Sequence, residues 1–158
     1  MTAEKKEVKP IPEKWNGAIR AVMKVYTRLN VAVYRVSGGR LMNRFPNGSP
    51  ICLVTMTGRK SGKKRTIPLI YVPNGKDVIL VASQGGMSTN PLWYYNIRAN
   101  PEVGITAEGE TRRMIAHEAS TKEKAAVWPV AVKVYPDFED YQARTTRNIP
   151  VFICKPPV

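Results

Sequence analysis

Three runs of β-branched and aliphatic residues, ICLVTMT (51–57), TIPLIYV (66–72) and DVILVAS (77–83), follow one another with only short turn-like stretches between them. Short apolar runs bounded by turn residues read as strands, and strands joined by tight turns pair antiparallel. Asn74 and Gly75, in PNGK, are the dipeptide that suits a tight hairpin. Downstream, VGITA and TRRMIAHE are joined by the short polar EGE, and NIPVFIC closes the chain. Six short strands with such connections predict an antiparallel sheet that curls into a small barrel. At 158 residues the chain is one domain by length, able to bury roughly two thirds of its surface.

Helical segments flank this sheet, so the expected class is mainly β with flanking helices (α+β). From Lys14 to Val36 the apolar residues Trp15, Ile19, Val22, Met23, Tyr26, Leu29, Val33 and Val36 recur at three- and four-residue steps, with Arg20, Lys24, Arg28 and Arg35 between them. Ser37, Gly38 and Gly39 end the pattern. The simpler placement packs this helix on its own domain with a solvated basic face; the alternative lays it on an anionic membrane surface. Asn90 and Pro91 read as a cap followed by a first-turn proline for LWYYNIRA. Ser120 with Glu123 reads as a capping box before a helix that Pro129 should kink or split. DFEDYQART is a last short helix. The division is a flexible arm over 1–13, a basic amphipathic helix over 14–40 and the barrel over 41–158.

Charge narrows the partners. Lys and Arg number 25 against 12 Asp and Glu, a formal charge of +13, which attracts polyanions without choosing among them. Arg59, Lys60, Lys63, Lys64 and Arg65 crowd into the turn GRKSGKKRT. This is not a phosphate-binding P-loop, since three residues, not four, separate Gly58 from Gly62, and Lys63 is followed by Lys64 where Ser or Thr is needed. Alone it is either a solvated charged turn or an anion site. SQGGMSTNPLWYYN adds Gly85 and Gly86, which permit close backbone approach, a helix start and the aromatics Trp93, Tyr94 and Tyr95. Cations, helix start and aromatics together suit a ligand with a phosphate tail and a flat ring. Single-stranded nucleic acid is disfavoured because the aromatics cluster on helices instead of alternating along strands.

Other chemistries lack their residues. His117 is the only histidine, set mid-strand in an alternating pattern, so neither a hydrolytic triad nor a metal site can be assembled around it. Cys52 and Cys154 sit in apolar runs without zinc-ligand spacing and read as reduced core residues of a cytosolic protein. The N-terminal stretch lacks the apolar segment of a secretory signal. An enzyme of this composition takes its reactive group from a cofactor.

Three blocks, TGRKSGKKRTIPLIYV, VASQGGMSTNPLWYYNIRANPEV and VYPDFEDYQARTTRNIPVFIC, resemble the deazaflavin-dependent nitroreductase family, the split β-barrel reductases that use coenzyme F420. The resemblance runs from about residue 50 to the C-terminus. It implies an FMN-binding split-barrel-like fold and hydride transfer from reduced 8-hydroxy-5-deazaflavin to electron-poor acceptors: quinones, enones and, in some members, nitroaromatics. FMN is the less favoured cofactor. By position, Arg59, Lys60 and Arg65 match the coenzyme-tail cations. Thr55, Thr57, Pro68, Val81, Ala82 and Ser83 match the lining of the ring and its ribityl chain. Leu92, Trp93 and Asn96 fall on the family's NPxWYxN helix. Ser83, Tyr135 and Tyr141 are the implied catalytic groups, the phenols donating to a developing enolate. Gln84 stands where the family commonly has lysine, and Ile70 and Phe138, in the substrate pocket, stand where a nitroimidazole-reducing member has tyrosines. Quinones and enones are therefore the expected acceptors. A non-catalytic flavin or deazaflavin carrier, or a small barrel that binds single-stranded nucleic acid, is the alternative. The partners implied are a small-molecule acceptor and an anionic membrane touched through the N-terminal helix, the protein being a monomer or homodimer in the cytoplasm or at the inner membrane face.

Overall fold

The computed structural model describes residues 12–158, so the proposed arm lies almost wholly outside the described residues. A 3-10 turn at Glu13–Trp15 leads into α1 (Asn16–Val36), and the strands are β1 (Ile51–Thr57), β2 (Lys64–Ile70), β3 (Val72–Asn74), β4 (Asp77–Val81), β5 (Glu102–Ala107), β6 (Glu110–Glu118) and β7 (Val151–Lys155). Helix α2 (Leu92–Ala99) lies between β4 and β5, and α3 (Thr121–Val134) and α4 (Asp137–Arg144) lie between β6 and β7. One curled antiparallel sheet has the order β2-β1-β5-β6-β7-β4-β3. Seven strands appear instead of six because TIPLIYV changes partner at Tyr71: Ile70 is the last residue paired with β1, and Val72 the first paired with β4. Pro68 is tolerated in β2 because that strand is an edge in the hydrogen-bonded order.

Strand alternation divides the core. Cys52, Val54 and Met56 of β1 point inward, where Leu80, Ile105, Met114 and Phe152 meet Trp93, Tyr94 and Ile97 of α2. Ile79 and Val81 of β4 and Ile153 of β7 point to the opposite side, covered by Val127, Ala131 and Phe138 of α3 and α4. The remaining outer face, along β1, β2, β5 and β6, is polar: Thr55 and Thr66 share a 2.8 Å hydroxyl pair, and Thr106 and Thr111 a 2.7 Å pair.

The N-terminal helix does pack on its own domain, as in the simpler placement, but that polar face turns much of its apolar stripe outward. α1 packs on its own domain through Asn30, Val31 and Tyr34, while Trp15, Val22, Leu29 and Val36 of the apolar stripe are 56%, 69%, 58% and 91% exposed. Against threonines, a helix gains more from Arg35, whose Nη2 donates to Thr66 Oγ1 at 2.9 Å, than from aliphatic side chains. Two expected caps and breaks also fall differently. Pro129 sits inside an unbroken α3; Ala125, whose carbonyl loses its helical partner, is exposed, so water can satisfy that oxygen. Asn90 does not cap α2, whose N-cap is Pro91; its side chain is used elsewhere. The Ser120–Glu123 capping box forms as expected.

Cys52 and Cys154 are free and buried in the inner core. Burial pushes each thiol up from 9.0 to about 12. Both are expected to stay silent to a thiol reagent at pH 8 until the protein is unfolded; prompt reaction of either in the native state contradicts this packing. The Tyr34, Tyr94 and Tyr135 phenols are raised too, chiefly by burial. These acids keep their protons longer folded than unfolded, so their stabilisation is whole below the unfolded values of 9.0 and 10.0 and is lost as pH rises past them. The melting temperature is expected to be flat near neutrality and to fall steadily above about pH 9.

Candidate active site

The β1–β2 hairpin holds its cations in a defined turn. Gly58 N–H donates to Lys63 O at 2.8 Å and Gly62 N–H to Gly58 O at 2.9 Å, with Gly62 at φ +67, where a side chain would be strained. Asn96 of α2 accepts the Arg59 N–H at 3.1 Å, and the Arg59 guanidinium lies 5.4 Å from the centre of the Tyr95 ring. Arg59, Lys60, Lys63, Lys64 and Arg65 are all exposed. Among the described residues none of the five forms a salt bridge. Lys64 Nζ meets only the hydroxyl of Thr57, at 3.2 Å. The excess charge therefore stays unneutralised by the fold and available to an external anion.

Behind the hairpin, Thr55, Thr57 and Pro68 share the outer face of β1 and β2, as the pairings Leu53↔Pro68 and Thr55↔Thr66 require. A cavity of about 340 Å³ opens on this face beneath the end of α1, lined by Tyr34, Arg35, Leu53, Thr55, Thr66 and Thr111 among others.

The segment after β4, Ala82 to Asn90, forms the other wall. Gln84, Gly85 and Gly86 take left-handed conformations in succession, turning the chain sharply around the buried Ser83. A Cβ on Gly86 would stand 2.6 Å from Tyr141 O and 2.9 Å from Arg144 Cβ, so this loop is pressed directly onto α4. Gln84 Nε2 donates to Thr89 O and to Thr89 Oγ1, both at 3.2 Å, folding the loop onto itself.

On α3 and α4, the Tyr135 and Tyr141 hydroxyls lie 2.8 Å apart. Burial, and then the Tyr141 hydrogen bond, raise the Tyr135 phenol well above its ordinary value, so it keeps its proton at any physiological pH. Phe138 is buried among the rings of Trp128, Tyr135 and Tyr141, and Ile70 packs against the same cluster. Trp128 is itself anchored by a 2.8 Å bond from Nε1 to Glu139.

The structure thus brings together Arg59 with Asn96, and the Ser83 loop with Tyr141 and Tyr135. Val81 and Ala82 part company: Val81 packs with the α3–α4 cluster, Ala82 with the inner core. Trp93 is likewise in the inner core, its ring 5.9 Å from Phe152, whereas Leu92 is exposed. Four guanidinium groups that the motifs did not single out for the site belong to its frame: Arg35 on Thr66, Arg20 on Thr89, Arg144 on Gly85 O, and Arg147 on Ala82 O, Ser83 O, Met87 O and Asn90 Oδ1. No local pattern announces Arg147, because its acceptors lie 57 to 65 residues away in the chain.

A family model described as F420H(2)-dependent quinone reductase matches residues 26–156. A Mycobacterium tuberculosis protein is 40% identical over 117 residues, which are 74% of this chain and 98% of that protein. Another from that species, named as an F420H(2)-dependent quinone reductase, is 34% identical over 129 residues, covering 80% of this chain and 87% of its own length. Among solved structures, one described as the F420-H2 dependent reductase FDR-A has a TM-score of 0.64 at 42% identity, covering 67% of this chain and 94% of that one. A second, described as a domain-swapped dimer, has a TM-score of 0.66 at 35% identity, covering 80% and 96%.

Proposed function

The chain belongs to the F420H(2)-dependent quinone reductase family, and from that premise we propose how its own residues carry the reaction. It is an oxidoreductase that uses coenzyme F420, and quinones are the acceptor class the family supports. The observation that carries the assignment to this groove is the set of five exposed hairpin cations with no carboxylate partner among the described residues. They fit a coenzyme whose phosphate and glutamate tail is multiply negative. When bound, the reduced deazaflavin supplies a hydride to an electron-poor acceptor.

Arg59 and Lys60 would hold the tail, with Arg65 as a further cation and Asn96 keeping the turn in shape. Gln84, where a lysine is common, offers an amide in place of a charge. Thr55, Thr57 and Pro68 would flank the ring and ribityl chain, and Ser83 would orient the acceptor oxygen. In the Tyr135–Tyr141 pair one hydroxyl donates to the other, leaving the acceptor hydroxyl's own proton free for the developing oxyanion. Because Ile70 and Phe138 bring no hydroxyl of their own, quinones and enones are the proposed acceptors and nitroaromatics slow ones.

The test is recovery of oxidised-coenzyme absorbance on mixing enzyme and reduced coenzyme with menadione, cyclohexenone or a nitroimidazole. Turnover should fall in that order; tight coenzyme binding with no turnover on any acceptor points instead to a carrier. Tyr141→Phe is expected to lower kcat roughly tenfold, short of the ~10²-fold or more typical of losing a sole oxyanion donor, because Tyr135 retains its hydroxyl. KM for the coenzyme should barely move. A variant indistinguishable from the parent removes the phenol pair from the chemistry.

The exposed stripe of α1 favours a second element of the reading. Trp15, Val22, Leu29 and Val36 face solvent beside Lys24, Arg28 and Arg35, the composition of a helix that lies in an anionic lipid interface. Among the described residues no helix is long and apolar enough to cross a membrane. We place the enzyme in the cytoplasm, as free buried thiols suit, docking on the inner membrane face where apolar quinones reside. Flotation with anionic but not neutral vesicles, lost in Val22→Glu with Leu29→Glu, is the expected result. The dimeric relative offers the competing cover for this stripe, a second copy, which sedimentation equilibrium would reveal.

A further inference from the structure

The cavity of about 340 Å³ beneath the end of α1 has no role in the reaction as proposed above. Of the residues proposed for the coenzyme and the acceptor, only Thr55 lines it. Because β1 and β5 run antiparallel, with Thr55 opposite Gly104 and Leu53 opposite Thr106, the cavity extends from Thr55 toward the β5–β6 turn, away from the hairpin tip. Its size falls within the range of pockets that take small organic molecules, roughly 300–1,000 Å³. A lone inorganic ion would leave most of it unfilled.

The polar groups around this space offer protons. Tyr34 is 2% exposed, and among the described residues its phenol oxygen has no hydrogen-bond partner. A Cβ on Gly39 would stand 3.2 Å from both Tyr34 Oη and Gly109 N, so the turn after α1 and the β5–β6 turn close around that phenol. Burial holds it above its ordinary value, and it keeps its proton. An unpaired buried hydroxyl destabilises a fold, and phenylalanine would fill the same space without one. Thr55 with Thr66, and Thr106 with Thr111, form hydroxyl pairs at 2.8 and 2.7 Å; in each, one proton is used inside the pair and the other is left to donate outward. Arg35 uses one N–H on Thr66 Oγ1, at 2.9 Å, and among the described residues it forms no salt bridge. Hydroxyl protons from three places and a guanidinium edge thus surround one space whose lining has no carboxylate. Glu108, in the β5–β6 turn, acts on Tyr34 from outside that lining and is exposed.

We propose that this cavity is a binding site for a small organic carboxylate of benzoate size, separate from the groove that takes the coenzyme and the acceptor. Arg35 supplies the charge, the Tyr34 and threonine hydroxyls the further donors, and Leu53 with the Tyr34 ring an apolar wall for the body of the molecule. Arg35 and Tyr34 belong to α1 and the threonines to the sheet, so a bound carboxylate bridges the two. It adds to a helix–sheet contact whose buried apolar part is only Val31, Tyr34 and Leu53.

Calorimetric titration of the full chain with benzoate tests this, beside benzyl alcohol, which has the ring without the charge, and inorganic phosphate, which has the charge without the ring. Benzoate should bind saturably and about tenfold tighter than either, and R35Q should weaken it by about tenfold or more, as expected on losing a charged hydrogen bond. Y34F should weaken it about fivefold, the effect of a neutral hydrogen bond, yet melt no lower than the parent. A merely structural hydroxyl would leave benzoate binding untouched. Hydrogen exchange of residues 34–39 and 106–111 should slow with benzoate bound, and saturating coenzyme F420 should leave benzoate affinity unchanged. No saturable uptake of benzoate overturns the site. Equal binding of benzyl alcohol overturns its charge preference, equal binding of phosphate its organic ligand, and displacement of benzoate by the coenzyme its separateness. Parental benzoate affinity in both R35Q and Y34F places benzoate elsewhere and overturns the assignment to this cavity. Apart from the displacement, these measurements need no coenzyme, so they decide the proposal even if the coenzyme reading fails.

Discussion

Reversing the two charges at the hairpin tip, Arg59→Glu with Lys60→Glu, is expected to weaken coenzyme binding by two to three orders of magnitude. A charge-assisted hydrogen bond contributes about 1.5–3 kcal/mol, so losing two at the lower, solvent-exposed end of that range accounts for roughly a hundredfold, and the new carboxylates add repulsion. The fold should not suffer. Both side chains are exposed, and the turn is held by the Arg59 backbone N–H on Asn96, which a glutamate retains. Only the Arg59 contact with Tyr95 is lost, about 0.5–1 kcal/mol at an exposed site. Isothermal titration calorimetry at two salt concentrations checks the argument, since the parental affinity should fall as salt rises and the variant's should fall less steeply. Undiminished uptake of the coenzyme by the double variant would mean that the hairpin cations hold nothing, and the site would have to be sought elsewhere.

Gly86→Ala is the second large effect, this time on the fold of the site. Gly86 has φ +78 and its missing Cβ would lie 2.6 Å from the Tyr141 carbonyl oxygen. The left-handed backbone alone costs an ordinary residue about 1 kcal/mol. The clash is with main chain, which cannot swing aside as a flexible side chain does, so α4 must retreat. Its retreat strains the Arg144 bond to Gly85 O and the Tyr135–Tyr141 pair. A loss of about 2–4 kcal/mol is expected, and a melting temperature lower by roughly 10 °C, with turnover falling further than stability requires. Gly85→Ala is the control: it has φ +63 but open space around the Cβ position, so it should show the backbone cost alone. Equal melting temperatures for the two variants would show that the loop does not press on α4.

Much of the barrel was legible because its signals are local. Hairpin register follows from alternation and turn chemistry, which act over a few residues, and so the β1–β2 hairpin and the turn after Asn74 appear where their residues place them. The limits of α2 and the capping box of α3 are equally local. Asn90 misleads for the opposite reason. An asparagine before a proline-led helix is a reasonable cap, but Arg147, distant in the chain, offers its side-chain oxygen a charged donor at 2.6 Å, and that bond wins. Pro129 misleads because the carbonyl it frees, that of Ala125, lies on the exposed side of α3 where water can reach it.

The candidate site shows the same divide. The family resemblance implied one coenzyme site for Arg59 and Asn96 and one catalytic set for Ser83 and the two tyrosines, although each grouping joins different blocks of the sequence. It could not say which side of the sheet each neighbour faces: Trp93 and Ala82 turn to the inner core while Val81 turns outward, because adjacent residues on one element point apart.

By itself, then, the amino-acid order determined the strands, the cationic turn, the glycine-rich loop and an amphipathic first helix, all products of φ/ψ preference and hydrogen bonding within a few residues. Only the tertiary structure decided that this helix turns Asn30 and Tyr34 inward and its apolar stripe outward, and that Arg147 underlies the Ser83 loop. Those outcomes depend on what a side chain meets far along the chain: a threonine-covered sheet in one case, reached at Thr66 31 residues beyond Arg35, and a row of unclaimed carbonyls 60 to 65 residues before Arg147 in the other.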